Sequence, residues 1–252
     1  MLSGFAGGRL FGTRVGSATP SILALHGWGR SHHDWVAVLD GLDAIALDLP
    51  GSGASPPPPE PWGLGDFAAA VSPVLEEMQQ PVVVVGHSFG GSVGVQLAAL
   101  AGPAAVSQLV VTGSPLIRKR SNARPPMSFR LARWLNSRGA FPDSKMEDLR
   151  KARGSADYRA ASGVMRDTLV RIVNQDVAEL LPQLEVPIEL IWGEEDRDVP
   201  VEVATQAAEL ARFASLTRLP GIGHDTPRDA PEEIRAVLNR LAPGAPANRE
   251  RA

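Results

Sequence analysis

The sequence predicts an α/β fold with a mostly parallel sheet flanked by helices, and two observations carry that expectation. Short apolar runs ending in glycine, proline or aspartate alternate with helix-length segments through most of the 252 residues. Such alternation implies right-handed crossovers between parallel strands, with ligands gathered at the carboxyl ends of those strands. In addition, the β-branched run Val82-Val83-Val84-Val85 passes directly into Gly86-His87-Ser88-Phe89-Gly90-Gly91 and then into a small-residue segment compatible with a helix. A strand, G-x-S-x-G and a helix in that order are what a nucleophile elbow requires.

Taken along the chain, Arg9–Arg14 reads as a weak antiparallel edge, and Ser21–Leu25 and Ala44–Leu47 read as buried strands ending in His26-Gly27 and Asp48-Leu49-Pro50-Gly51. Leu109–Thr112, Ile188–Trp192 and Ser215–Leu219 continue the series, each stopped by glycine or proline. Helices are expected over Trp35–Leu42, Leu64–Met78, Phe89–Ala101, Val201–Arg212 and Ala230–Leu241. Ser55-Pro56-Pro57-Pro58-Pro59-Glu60-Pro61 is an extended polyproline-type connector, because each proline fixes φ and removes a donor. Residues 115–184 contain amphipathic stretches, including Met127–Leu135 and Val164–Val173, and no strand pattern. They read as a helical cap inserted after the sixth strand, between core segments 1–114 and 185–242, with a disordered tail at 243–252.

Composition narrows the chemistry. Hydrophobic residues make up 44% of the chain and charged residues 21%, enough for one core with a small inserted subdomain. With no cysteine, disulfides, thiolate metal sites and cysteine nucleophiles are excluded. A net charge of −3 gives no sign of nucleic-acid binding. Met1–Pro20 lacks a continuous apolar stretch and no later run reaches about 18 apolar residues, so a soluble, cytoplasmic protein without a membrane partner is expected. Charge is uneven, however. Residues 116–172 hold 14 basic and 5 acidic side chains, a balance of +9, which leaves 11 basic and 23 acidic elsewhere. The arginines of that segment either form a solvated helical face or draw an anionic substrate or acyl carrier to the cap.

A serine hydroxyl needs a base to become a nucleophile, and the base needs an acid to orient it. Trp192-Gly193-Glu194-Glu195-Asp196-Arg197-Asp198-Val199-Pro200 puts carboxylates just after one strand, and Gly221-Ile222-Gly223-His224 puts a histidine just after the next. The chain order is therefore serine, acid, histidine. His26 is expected to brace its loop, His87 to pack or hydrogen-bond locally, and His32 and His33 to face solvent. No metal-ligand spacing occurs.

These motifs form an ordered set with two more: Leu25-His26-Gly27-Trp28-Gly29, and Asp48-Leu49-Pro50-Gly51-Ser52-Gly53-Ala54-Ser55. The set resembles the α/β-hydrolase superfamily across nearly the whole chain, and His26-Gly27-Trp28-Gly29 is similar to bacterial carboxylesterases of the pimeloyl-carrier-protein methyl esterase type. The resemblance implies the α/β-hydrolase fold, with Ser88 as nucleophile, His224 as base and Asp196, in preference to the nearby Asp198, as the orienting acid. It also implies an oxyanion hole made by the backbone N–H groups of Trp28 and Phe89. Because dehalogenases and epoxide hydrolases of the superfamily use an aspartate at the elbow, Ser88 argues against both. Hydrolysis of a carboxylic ester or thioester of a small acyl substrate, with no cofactor and no metal, is the resulting expectation. Peptide or C–C bond hydrolysis, perhydrolysis, and a receptor-like ligand-binding protein with slow turnover are the alternatives.

Overall fold

A computed structural model describes residues 1–118, 131, 134–138, 141–142, 144–146, 148–149 and 155–242. Its strands are β1 (Leu2–Phe5), β2 (Leu10–Val15), β3 (Ile22–Leu25), β4 (Ala44–Asp48), β5 (Val82–His87), β6 (Val106–Thr112), β7 (Ile188–Gly193) and β8 (Ala214–Leu219). They join in one sheet in the order β1-β2-β4-β3-β5-β6-β7-β8. The pairs β1–β2 and β2–β4 are antiparallel, and every other neighbouring pair is parallel.

Helices α1 (Leu64–Met78), α2 (Phe89–Ala101), α5 (Val201–Leu210), α6 (Thr226–Asp229) and α7 (Pro231–Leu241) connect or follow these strands. Both faces of the sheet are covered. Leu23, Leu25, Val82 and Val84 point into a core shared with Phe67 and Val71 of α1, Val93 and Leu97 of α2, and Val203 and Ala207 of α5. Their neighbours Ile22, Ala24, Val83 and Val85 pack on the other face against Trp35, Leu39 and, from α7, Ile234 and Leu238. This two-sided burial is why the central strands read as unbroken apolar runs instead of alternating ones.

Beyond β6, the described chain carries α3 (Ala156–Ala160) and α4 (Gly163–Ile172) before it returns to β7. The buried Thr168 of α4 accepts a hydrogen bond from Trp62 N–H at 3.2 Å, and Arg171 donates to the Pro61 carbonyl at 2.6 Å. Gln175 takes the Leu64 N–H at 2.8 Å. The proline connector is thus tied to the chain between β6 and β7. Most of Met127–Leu135 and all of the 243–252 tail lie outside the described residues. Among the described residues, no helix is long and apolar enough to cross a membrane.

Two expectations need correction. Arg9–Arg14 corresponds to an antiparallel strand, but β1 pairs outside it and forms the edge. Four residues with a glycine among them gave little strand signal. Trp35–Leu42 is not a helix: a 3-10 turn spans His32–Trp35, and turns follow. Leu39 N–H reaches the Trp35 carbonyl at 2.9 Å, but Leu42 N–H bonds back to Leu39 and Gly41 adopts a φ of 79°, which stops helical propagation.

Candidate active site

The parallel strands β5, β7 and β8 all end on one edge of the sheet, so residues distant in sequence meet there. Ser88 follows β5 as the N-cap of α2, with φ of 50° and ψ of −117°. A non-glycine residue seldom adopts positive φ, and such strain concentrates where a side chain must be presented for a task. The flanking glycines allow the turn. A Cβ on Gly86 would strike the Gly90 carbonyl, and one on Gly90 would strike the Leu25 carbonyl.

His224, in the loop after β8, brings Nε2 to 3.3 Å from Ser88 Oγ. Its Nδ1 lies 2.9 Å from Asp196 Oδ2. Asp196 is held in turn: its Oδ1 accepts the N–H groups of Asp198 at 2.9 Å and Val199 at 2.8 Å. The indole of Trp192 fixes the far side of that turn by donating to the Val199 carbonyl at 2.8 Å. Asp196 is buried, whereas Asp198 is exposed and contributes its backbone to this network. Ser88, His224 and Asp196 are therefore hydrogen-bonded in series, and Asp198 stands beside the series.

Electrostatics separate the histidines. Burial opposes charge on His224, but the hydrogen bond and charge of Asp196, with Asp198 and Asp225, outweigh it and raise the imidazole above its ordinary pKa. His87, one residue before Ser88, is lowered to about 3, first by burial and then by His224, whose ring lies 5.0 Å away. Among the described residues its Nδ1 has no hydrogen-bond partner. His26 is lowered to about 4, chiefly by burial. It braces the loops as expected, with Nδ1 donating to the Gly27 carbonyl at 2.7 Å and Nε2 accepting from Leu49 N–H at 2.9 Å. His33 is exposed, but His32 is not the solvent-facing residue the sequence suggested. Its Nδ1 and its backbone N–H both meet Asp48 Oδ1 at 2.8 Å. Asp48 also takes Ala54 N–H at 2.9 Å, so its fully buried carboxylate organises both loops.

Phe89 opens α2, and its N–H is one of the helix-terminal donors without an intrahelical partner. Gly27 faces the nucleophile candidate, since a Cβ there would sit 3.6 Å from Ser88 Cβ. Trp28 packs edge-on against Phe89 with ring centroids 5.4 Å apart. A cleft of about 900 Å³ opens at this point, lined by Trp28, Arg30, Ser88, Met165, His224 and Asp225 among others. Sequence reasoning missed Arg30, Asp225 and Met165, because their placement depends on loops and a helix far apart in the chain. Among the described residues, no group of three or more His, Asp or Glu side chains is arranged to hold a metal.

Known proteins resemble this chain over most of its length. An uncharacterized hydrolase, YugF, of Bacillus subtilis is 28% identical over 239 residues, covering 85% of this chain and 86% of that protein. A pimeloyl-[acyl-carrier protein] methyl ester esterase of Aromatoleum aromaticum is 27% identical over 258 residues, covering 89% and 99% respectively. The structure of 2-hydroxy-6-oxo-6-phenylhexa-2,4-dienoate hydrolase from a Rhodococcus species superposes with a TM-score of 0.69 at 21% identity, over 96% of this chain and 98% of the other, and so shares the fold. Since the pattern of the alpha/beta hydrolase family matches residues 22–237, the chain with its Ser88 elbow and eight-stranded sheet belongs to that family.

Proposed function

We propose that the protein is a serine esterase, cleaving a carboxylic ester or thioester of a small acyl substrate through an acyl-enzyme. The observation that carries this reading is the hydrogen-bonded series from Ser88 through His224 to Asp196. Ser88 Oγ attacks the carbonyl carbon as His224 Nε2 takes its proton, and Asp196 keeps the other imidazole proton on Nδ1. Negative charge developing on the carbonyl oxygen is met by the N–H groups of Trp28 and Phe89. The tetrahedral adduct then expels the alcohol or thiol, which receives the proton from His224 Nε2. Water, deprotonated by the same nitrogen, attacks the acyl-serine, releasing the acid and restoring Ser88. The ester-cleaving relative supports an ester as the bond broken, and a cleft of about 900 Å³ beside Ser88 leaves room for an acyl group.

The test is direct. A fluorophosphonate is expected to label Ser88 with 1:1 stoichiometry, and Ser88→Ala to lose turnover of a short p-nitrophenyl ester by on the order of a million-fold. A folded Ser88→Ala protein that still turns over, or labelling of another residue, overturns the assignment. One stoichiometric release of p-nitrophenol without steady turnover identifies a binding protein instead.

A further inference from the structure

Arg30 and Asp225 join the two loops that carry opposite halves of the proposed machinery. Arg30 lies two residues beyond Trp28, after β3, and Asp225 directly follows His224, after β8. In the sheet, β3 and β8 are separated by β5, β6 and β7. An ion pair nevertheless runs from Arg30 Nη2 to Asp225 Oδ1 across 195 residues of sequence. The guanidinium is anchored on its other side, with Nε 3.0 Å from Asp34 Oδ2, while Arg228 Nη2 approaches Asp225 Oδ2 at 3.1 Å. Arg30 and Asp225 are both about one-third exposed and line the cleft.

We propose that Arg30 and Asp225 are positioning residues, a tie across the cleft that holds the Trp28 loop in register with His224 and balances the charge around the imidazole. The proposal rests on the esterase reading above. Two effects belong to it. As a tether, the pair fixes the distance between an oxyanion donor and the base, and errors on the ångström scale at such points cost up to about a hundredfold in rate. As a charge pair, it places an anion beside His224 and a cation that offsets it. The other charged or titratable groups around that imidazole are Asp196 and Asp198 from the loop after β7, His87 from β5 and, across the cleft, Asp157 of α3. Because Arg30 already serves two carboxylates, it takes a structural part and is not a receptor for substrate carboxylate.

The charge argument separates this role from simple stabilisation. Asp225→Asn removes an anion, so His224 protonates less readily and the acid limb of kcat/KM moves to lower pH. Arg30→Gln leaves Asp225 with Arg228 as its remaining cation, so its charge is less fully offset and the limb moves to higher pH. Shifts of roughly half a unit, opposite in sign, are expected, with kcat lowered about tenfold in each variant and KM changed less. The double variant should return the limb toward its original position while kcat stays low, and Arg30→Lys should recover part of kcat. Arg240→Gln, which removes an ion pair to Glu189 near the far, N-terminal end of β7, is the control expected to change nothing. Melting temperatures on the same samples exclude unfolding as the cause. Shifts of the same sign, or unchanged profiles in both single variants, overturn the proposal. Fluorophosphonate labelling of wild-type Ser88 is measured first: if it fails, the esterase reading falls, and if it succeeds, the variants judge the tie alone.

Discussion

Asp196 and Asp198 are two residues apart, yet they face different tasks. The carboxylate of Asp196 is buried against His224 Nδ1 at 2.9 Å, and Asp198 presents its backbone to it. Asp196→Asn is expected to lower kcat by on the order of ten-thousand-fold by favouring the wrong imidazole tautomer, with Asp198→Asn costing little. Rates of p-nitrophenyl ester hydrolysis for the two variants decide this, and the reverse ranking would move the role to Asp198. Reading the strand ends located the cluster of carboxylates, and the family resemblance chose Asp196 within it; neither located Asp48–His32, whose pairing depends on two loops meeting over the sheet. The buried histidines make a second prediction. His26 and His87 titrate near 4 and 3 when folded and near 6.5 when unfolded, so the unfolded chain binds more protons below about pH 6.5. Stability is therefore lost as pH falls from 6.5 toward 4, by up to about 1.4 kcal/mol per pH unit for each histidine. His224 is shifted the other way: its contribution is present below 6.5 and lost as pH rises through its raised folded value, which offsets part of the trend. Urea denaturation at pH 7 and pH 4.5 should show a smaller acid loss for His87→Gln than for wild type. An equal loss would mean that His87 is not held neutral.

At the level of elements, the strand-turn-helix at β5 and α2 was legible because each part has a local cause. Four consecutive valines specify a strand buried on both faces, and the glycines on either side of Ser88 are required by backbone contacts with Gly90 and Leu25. Leu64–Met78 and Phe89–Ala101 also fall where the apolar spacing put them. Trp35–Leu42 failed for an equally local reason. Its apolar residues Trp35, Val38, Leu39 and Leu42 all reach the core, but consecutive turns seat them as well as a helix does. Within the elbow, Ser88 carries a side chain at positive φ, while Gly86 and Gly90 stand where a Cβ would strike backbone. Ser88→Gly should relieve that conformation and Ser88→Ala should keep it. The glycine variant is expected to be more stable than the alanine variant by about 1 kcal/mol, although neither turns over substrate. Equal midpoints in urea would show that the turn is unstrained.

Across the whole molecule, the sheet was legible in its order of chemistry and the chain between β6 and β7 was not. Parallel strands force their loops to one edge, so serine, acid and histidine from three strand ends converge without any local signal linking them. The chain between β6 and β7 has no such constraint, because its described helices take their positions from the surface they cover, as Met165 does against Gly51. Its charge is nonetheless plain: 14 basic residues against 5 acids over residues 116–172. Arg118 is described, with its backbone N–H 3.3 Å from Asp176, while Arg120, Arg124 and Arg130 lie outside the described residues. The proposal that this segment draws an anionic substrate or an acidic acyl carrier to the cleft makes a quantitative demand. Steering by exposed charge weakens as salt shortens the Debye length, about 8 Å at physiological strength. For a carrier-bound or phosphate-bearing acyl ester, kcat/KM should then fall steeply with added salt, and Arg118→Glu with Arg120→Glu should lower it further. Hydrolysis of a neutral p-nitrophenyl ester by the same proteins should respond to neither change. Equal salt responses for charged and neutral esters would assign these arginines to a solvated helical face and leave substrate choice to the cleft around Ser88.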